Sequence, residues 1–155
     1  PRMSPLPPLA PSEAEIARIG ESLLDRTLPQ KQWTHAAHCI ACLYLMLRRP
    51  DIDVAKSLPG IIWRYNEATG TPNNDQDGYH ETITRFYIQA IAAYLARLPS
   101  GRPLAEIVAG FLASSFAARG FPLRYWSKDR LMSVEARRVW VEPDLRPLDL
   151  ENLPL

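Results

Sequence analysis

Histidine and cysteine are scarce in this sequence, which has three histidines and two cysteines among 155 residues. Cys39 and Cys42 are one helical turn apart, so a disulfide between them would not join distant parts of the chain. Nothing therefore points to an oxidising compartment. Residues 1–11 hold five prolines and lack the apolar core of a signal peptide. We expect a cytoplasmic protein.

The sequence also lacks an excess of charge of one sign. It has 18 basic and 17 acidic residues, a net charge of +1, which argues against a dedicated nucleic-acid-binding protein. Residues 102–138 are an exception, because this segment contains seven basic residues (102, 119, 124, 128, 130, 137 and 138) and only three acidic ones (106, 129 and 135). This segment either holds an anion or forms a solvated basic surface.

A third absence concerns the stretch Thr34–Leu47, which has no Asp, Glu, Lys, Arg, Gly or Pro. A helix of this length rises about 21 Å, too little to cross a bilayer, so we expect neither a membrane span nor a membrane partner. Because it is apolar on every side, we expect it at the centre of the protein with other helices around it.

The pattern of caps and breakers predicts a single all-α domain, residues 1–155, built as a bundle of about five main helices. Residues 1–11 are expected to form an extended arm, and residues 141–155 an extended proline-rich tail laid across the bundle. Ser127 and Ser133 are expected to cap short helices. The five main helices are expected from Ser12 to about Arg26, from Thr34 (or Thr27) to about Arg48, from Asp53 to Gly70 with a kink or restart at Pro59, from Asp77 or Gly78 to about Leu98, and from Pro103 or Leu104 to about Ala118.

The histidines are the main chemical signal. His35 and His38 are three residues apart, so on a helix they lie on one face. His80, near the start of the fourth helix, shares a mostly apolar face with Ile83, Thr84, Tyr87 and Ile91. Bundle proteins build metal sites from inward side chains of facing helices. The pattern predicts a three-histidine site, His35, His38 and His80, for a divalent transition metal, with zinc or iron the favoured ions.

In this hypothesis the protein is a small metal-dependent enzyme acting on a small organic substrate. Glu81 and Tyr79 are the candidate catalytic residues: Glu81 would orient a ligand or move a proton. Tyr79 and Thr84 would support the ligands. The substrate would enter beside the polar loop 71–78. An arginine such as Arg64, Arg85 or Arg124 would anchor a carboxylate.

Two alternatives stay open at this stage. The histidines are either neutral, buried and hydrogen-bonded, or one of them is a general acid or base without a metal. With structural histidines the protein would be a non-catalytic binding or assembly module. Its leucine- and proline-rich termini would then dock onto a partner or onto a second copy of the chain.

The motifs W-T-H-x-x-H (Trp33–His38) and G-Y-H-E-T (Gly78–Thr82) resemble a pattern found in uncharacterised bacterial proteins. The later segments R-Y-W-S-K-D-R-L and A-R-R-V-W-V-E-P-D-L-R-P-L resemble the same group. The resemblance covers most of the chain from Trp33 onward and implies no particular activity or ligand.

Overall fold

The computed structural model describes residues 11–152 and confirms an all-α bundle. Five helices of 10 to 16 residues and two short ones account for its regular structure, and this range contains no strand. The seven helices are α1 (Glu13–Asp25), α2 (His35–Arg48), α3 (Val54–Ala68), α4 (Glu81–Ala96), α5 (Leu104–Ala113), α6 (Lys128–Leu131) and α7 (Val134–Arg138). Short 3₁₀ turns lie at Gln30–Gln32, Ser115–Ala117, Phe121–Arg124 and Leu150–Asn152.

Five of the predicted helix starts, each at a polar capping residue, are confirmed. The side chain of each cap accepts a hydrogen bond from a backbone N–H three residues later, which satisfies a donor that the helix leaves unpaired. These caps are Ser12, Thr34, Asp53, Ser127 and Ser133. Thr34, rather than Thr27, therefore begins the central helix, and the 3₁₀ turn Gln30–Gln32 lies before it.

Two predicted boundaries are wrong. Helix α4 begins at Glu81 and not at Asp77 or Gly78, because the imidazole of His80 caps it. Helix α5 ends at Ala113 and not near Ala118, since the chain turns into extended backbone at Ser114. Helix α3 continues through Pro59, so the chain does not restart there, and the alternative of a kink at Pro59 stays a prediction.

Helix α2 lies at the centre of the core, as its apolar sequence predicts. Every residue from Cys39 to Tyr44 is buried, and Leu43 and Leu45 are completely inaccessible to solvent. Helix α1 crosses it at Gly20, where the ring of Tyr44 occupies the place that a Cβ atom would need. The close approach of α1 to α2 therefore depends on glycine at this position.

The segment after α7 docks back onto α4. The hydroxyl of Thr82 donates to the carbonyl of Val139 (2.9 Å) and accepts from the N–H of Val141 (3.2 Å). The predicted tail, 141–155, is free of helix up to residue 149 and then forms the turn at Leu150–Asn152, so it is not extended throughout. The predicted arm lies outside the described residues except for Pro11, as do residues 153–155 of the tail.

Within residues 11–152, every helix is too short or too polar to cross a membrane.

Candidate functional site

A cavity of about 710 Å³ lies between α2, α3, α4 and residues 115–138, which we call the cover segment. Its size is within the range of about 300–1,000 Å³ typical of small-molecule sites. All three histidines line it. The structure therefore brings His35, His38 and His80 to one site, although they differ in what their nitrogens contact.

The deep part of the cavity is apolar. Buried side chains from α2, α3 and α4 form it. Ile83 and Ile91 of α4, which are predicted to share the face of His80, also line it. These apolar lining residues include Cys42, Leu58, Ile62, Ile83, Ile88 and Ile91. An apolar group placed here would be removed from water without losing hydrogen bonds.

Both ring nitrogens of His80 are engaged. Its Nδ1 accepts a hydrogen bond from the backbone N–H of Ile83 (3.1 Å), and this bond caps α4. Its Nε2 lies 2.8 Å from the carbonyl of Leu131. Because a carbonyl only accepts, Nε2 carries the hydrogen and no lone pair remains for a metal. Burial lowers the pKa of His80, and the nearby positive charge of Arg137 lowers it further. The hydrogen bond to Leu131 acts in the opposite direction but does not outweigh burial. This histidine fastens the cover segment to α4.

His35 fastens the other end of the cover segment. Its Nε2 donates to the carbonyl of Ala117 (2.9 Å), and the hydroxyl of Tyr87 donates to the next carbonyl, Ala118 (3.2 Å). The two rings meet edge to face, with centroids 5.3 Å apart. Since Nε2 of His35 carries the hydrogen, its Nδ1 holds a lone pair, for which the described residues provide no donor.

His38 has the most available nitrogen. Its Nδ1 donates to the carbonyl of Thr34 (2.7 Å), so the lone pair is on Nε2, which has no partner within residues 11–152. The ring stacks on the indole of Trp33, with centroids 3.7 Å apart. His38 is solvent-exposed on one side, and the protein packed against the rest of the ring desolvates its charged form, which lowers the pKa of His38 to about 4. The imidazole is therefore neutral at pH 7.

The predicted three-histidine ligand set does not fit this geometry, because His80 has no free lone pair. No group of three or more His, Cys, Asp or Glu side chains that could hold a metal ion occurs in the described part of the chain. His35 and His38 each retain one unpaired nitrogen. Metal binding by this protein stays a prediction.

Tyr79 and Glu81, predicted to have catalytic roles, do not line the cavity. The hydroxyl of Tyr79 donates to Glu81 Oε1 (2.6 Å), and Arg85 lies 3.8 Å from the same carboxylate. Burial and the carboxylate raise the pKa of Tyr79. Thr84, predicted beside them, does line the cavity. The catalytic roles of Tyr79 and Glu81 stay predictions.

The two cysteines are thiols in the wall of the cavity. Burial raises the pKa of Cys39 to about 12 and raises that of Cys42 as well. Neither forms a thiolate near pH 7, so both are poor nucleophiles and contribute apolar surface.

Three basic side chains line the cavity, and the sequence did not single them out. They are Arg119, Lys128 and Arg137, all from the basic stretch 102–138. The arginines proposed as carboxylate anchors lie elsewhere: Arg85 packs over Trp140, Arg124 over Phe121, and Arg64 is exposed outside the cavity. The local excess of basic residues was the available signal, but it does not indicate which of them face inward.

Fold and site together define an all-α protein with one histidine-bearing, mostly apolar cavity. Comparison with protein-family models, with curated protein sequences and with solved structures finds no match for this chain.

Proposed function

We propose that this protein binds a small organic molecule in the cavity, with His38 Nε2 as the hydrogen-bond acceptor for the ligand. One observation carries the proposal: an apolar cavity of about 710 Å³ has in its wall an oriented imidazole with an unpaired nitrogen. Pockets of this kind combine apolar surface for affinity with a few polar groups for orientation.

The state of His38 favours binding over proton transfer. A general base works best when its pKa is near the working pH, and partial desolvation lowers the pKa of His38 to about 4. A neutral imidazole held by Thr34 and Trp33 instead presents a fixed lone pair. It suits a ligand hydroxyl or N–H group placed over the apolar part of the cavity.

The test uses phenylnaphthylamine, an uncharged dye whose fluorescence rises in apolar surroundings and which carries one N–H donor. We expect saturable binding to the parent protein. Cys42→Leu adds volume at the buried cavity wall and should abolish binding, whereas Cys42→Ala leaves the space open and should retain it. Both variants must keep the near-ultraviolet circular dichroism of the parent. No binding to the parent, or equal binding to Cys42→Leu, would overturn the proposal.

The role of His38 is tested by a matched ligand pair, naphthol and naphthalene. The parent should prefer naphthol, whose hydroxyl can donate to Nε2. His38→Phe should reduce that preference about fivefold, the effect of one hydrogen bond worth about 1 kcal/mol. A preference unchanged in the variant would remove His38 from the site.

The metal-dependent enzyme remains as a second proposal, supported by the two unpaired nitrogens of His35 and His38. Elemental analysis of the purified protein tests it beside His38→Ala and His80→Ala. Near-stoichiometric zinc or iron that is lost in His38→Ala would support a metal site. A parent that stays metal-free after incubation with both ions would refute it.

A further inference from the structure

We propose that the ligand of this cavity is an organic anion, whose apolar body lies among the helices and whose charged group lies at the mouth. This inference rests on the proposed function and specifies the class of ligand. It is carried by the distribution of charge along the cavity wall rather than by any single residue.

The charge of the lining is of one sign. Arg119, Lys128 and Arg137 contribute three positive groups, and no Asp or Glu of the described chain lines the cavity. The whole sequence is nearly neutral, with 18 basic and 17 acidic residues, so this separation is a local property of the cavity. Positive groups around an apolar pocket raise the local concentration of anions.

These three cations are also free of ion pairs within residues 11–152. Six other arginines are paired with carboxylates: Arg18, Arg48, Arg49, Arg85, Arg102 and Arg138. Arg137 is held in place by its Nη1, which donates to the carbonyls of Gly78 (3.1 Å) and Tyr79 (3.3 Å). These two bonds orient its guanidinium and leave other donors for a ligand.

Exposure shows where the mouth lies. Leu123 is 43% exposed and Met132 is 53% exposed, and Arg119 and Lys128 are exposed beside them in the chain. All four belong to the cover segment and line the cavity. The deep wall from α2, α3 and α4 is apolar, so polarity increases from the floor to the mouth. A ligand that matches this gradient has an apolar body and an anionic end.

The test compares two dyes with the same aromatic body. Phenylnaphthylamine is neutral, and anilinonaphthalene sulfonate carries one negative charge. We expect the parent to bind the sulfonate more tightly than the neutral dye. Increasing salt should weaken binding of the sulfonate and leave binding of the neutral dye unchanged. The double variant Arg119→Gln/Lys128→Gln should weaken sulfonate binding about fivefold, in line with two exposed charge pairs. Binding of the neutral dye should not change.

The control is Lys56→Gln/Arg64→Gln, which removes the same charge from exposed positions on α3 that do not line the cavity. It should bind both dyes as the parent does. Equal affinity of the parent for the two dyes, or equal loss in the two double variants, would overturn the inference while leaving the proposed function intact. Failure of the parent to bind either dye would overturn both.

Discussion

Replacement of His80 by alanine should destabilise the protein, because this side chain holds two structural elements together. The variant removes the cap of α4, which accepts the Ile83 N–H, and the donor to the Leu131 carbonyl. A lost cap costs about 1 kcal/mol. A buried carbonyl left without its donor costs about 1–3 kcal/mol. We therefore expect the free energy of unfolding to fall by about 2–4 kcal/mol, the sum of these two effects.

Urea unfolding followed by circular dichroism measures this change, with two comparison variants. His80→Asn retains a good capping residue but lacks the reach to Leu131, so it should recover about 1 kcal/mol. Ser12→Ala removes an exposed cap from α1 and should cost about 1 kcal/mol, which calibrates the capping effect. A His80→Ala protein within about 0.5 kcal/mol of the parent would refute the assignment of both ring nitrogens.

The same geometry fixes the sign of a pH effect. Burial lowers the pKa of His80 in the folded state below its unfolded value of about 6.5, so below that pH the unfolded chain binds more protons. Stability contributed by this group is complete above about pH 6.5 and decreases as the pH falls towards its folded pKa. The slope for one histidine is at most about 1.4 kcal/mol per pH unit. Unfolding of His80→Asn between pH 7 and 5 should show a smaller slope than the parent, and an equal slope would contradict this.

Three further perturbations follow from the packing. Gly20→Ala should destabilise by about 1–3 kcal/mol, because the added Cβ meets the ring of Tyr44, whereas Gly120→Ala has open space and should be neutral or slightly stabilising; thermal melts compare the two. Thr82→Val should cost about 1–3 kcal/mol in urea unfolding, since its hydroxyl makes two backbone hydrogen bonds to the docked C-terminal segment. Removal of residues 141–155 should lower the melting temperature, because Val141 and Leu150 are buried; a truncated chain that melts with the parent but changes oligomeric state would favour an assembly module.

The starts of α1, α2, α3, α6 and α7 were predictable because each has a polar capping residue that binds a backbone N–H only three residues later. Thr34 and Asp53 each accept a hydrogen bond from their own first turn, so the local sequence contains all that is needed. The early end of α5 was not predictable in this way. Residues 114–118 pack with α2 and α4 through contacts such as that of His35 with Ala117, 82 residues away in sequence. Local propensity does not report such a partner.

Part of the site was predictable because helical periodicity is also a local property of the sequence. Helical periodicity placed Ile83, Thr84 and Tyr87 on the face of His80, and all three line the cavity. The inward-facing cations belong instead to the cover segment, whose short helices and turns have no periodicity long enough to give a register. The composition of residues 102–138 showed a basic excess, and only the folded chain shows that Arg119 and Arg137 face the cavity.

The chemical availability of each histidine depends on its second hydrogen-bond partner rather than on the helix face it occupies. His35 and His80 both donate an N–H to carbonyls of the cover segment, at Ala117 and Leu131, and so hold that segment against α2 and α4. His38 gives its N–H to Thr34, one turn back in its own helix, and so fastens nothing. Its lone pair on Nε2 is therefore available to a ligand, and the hydrogen bond on the other nitrogen lies outside the cover segment. For this reason a change at His38 should alter binding, while a change at His80 should alter stability first.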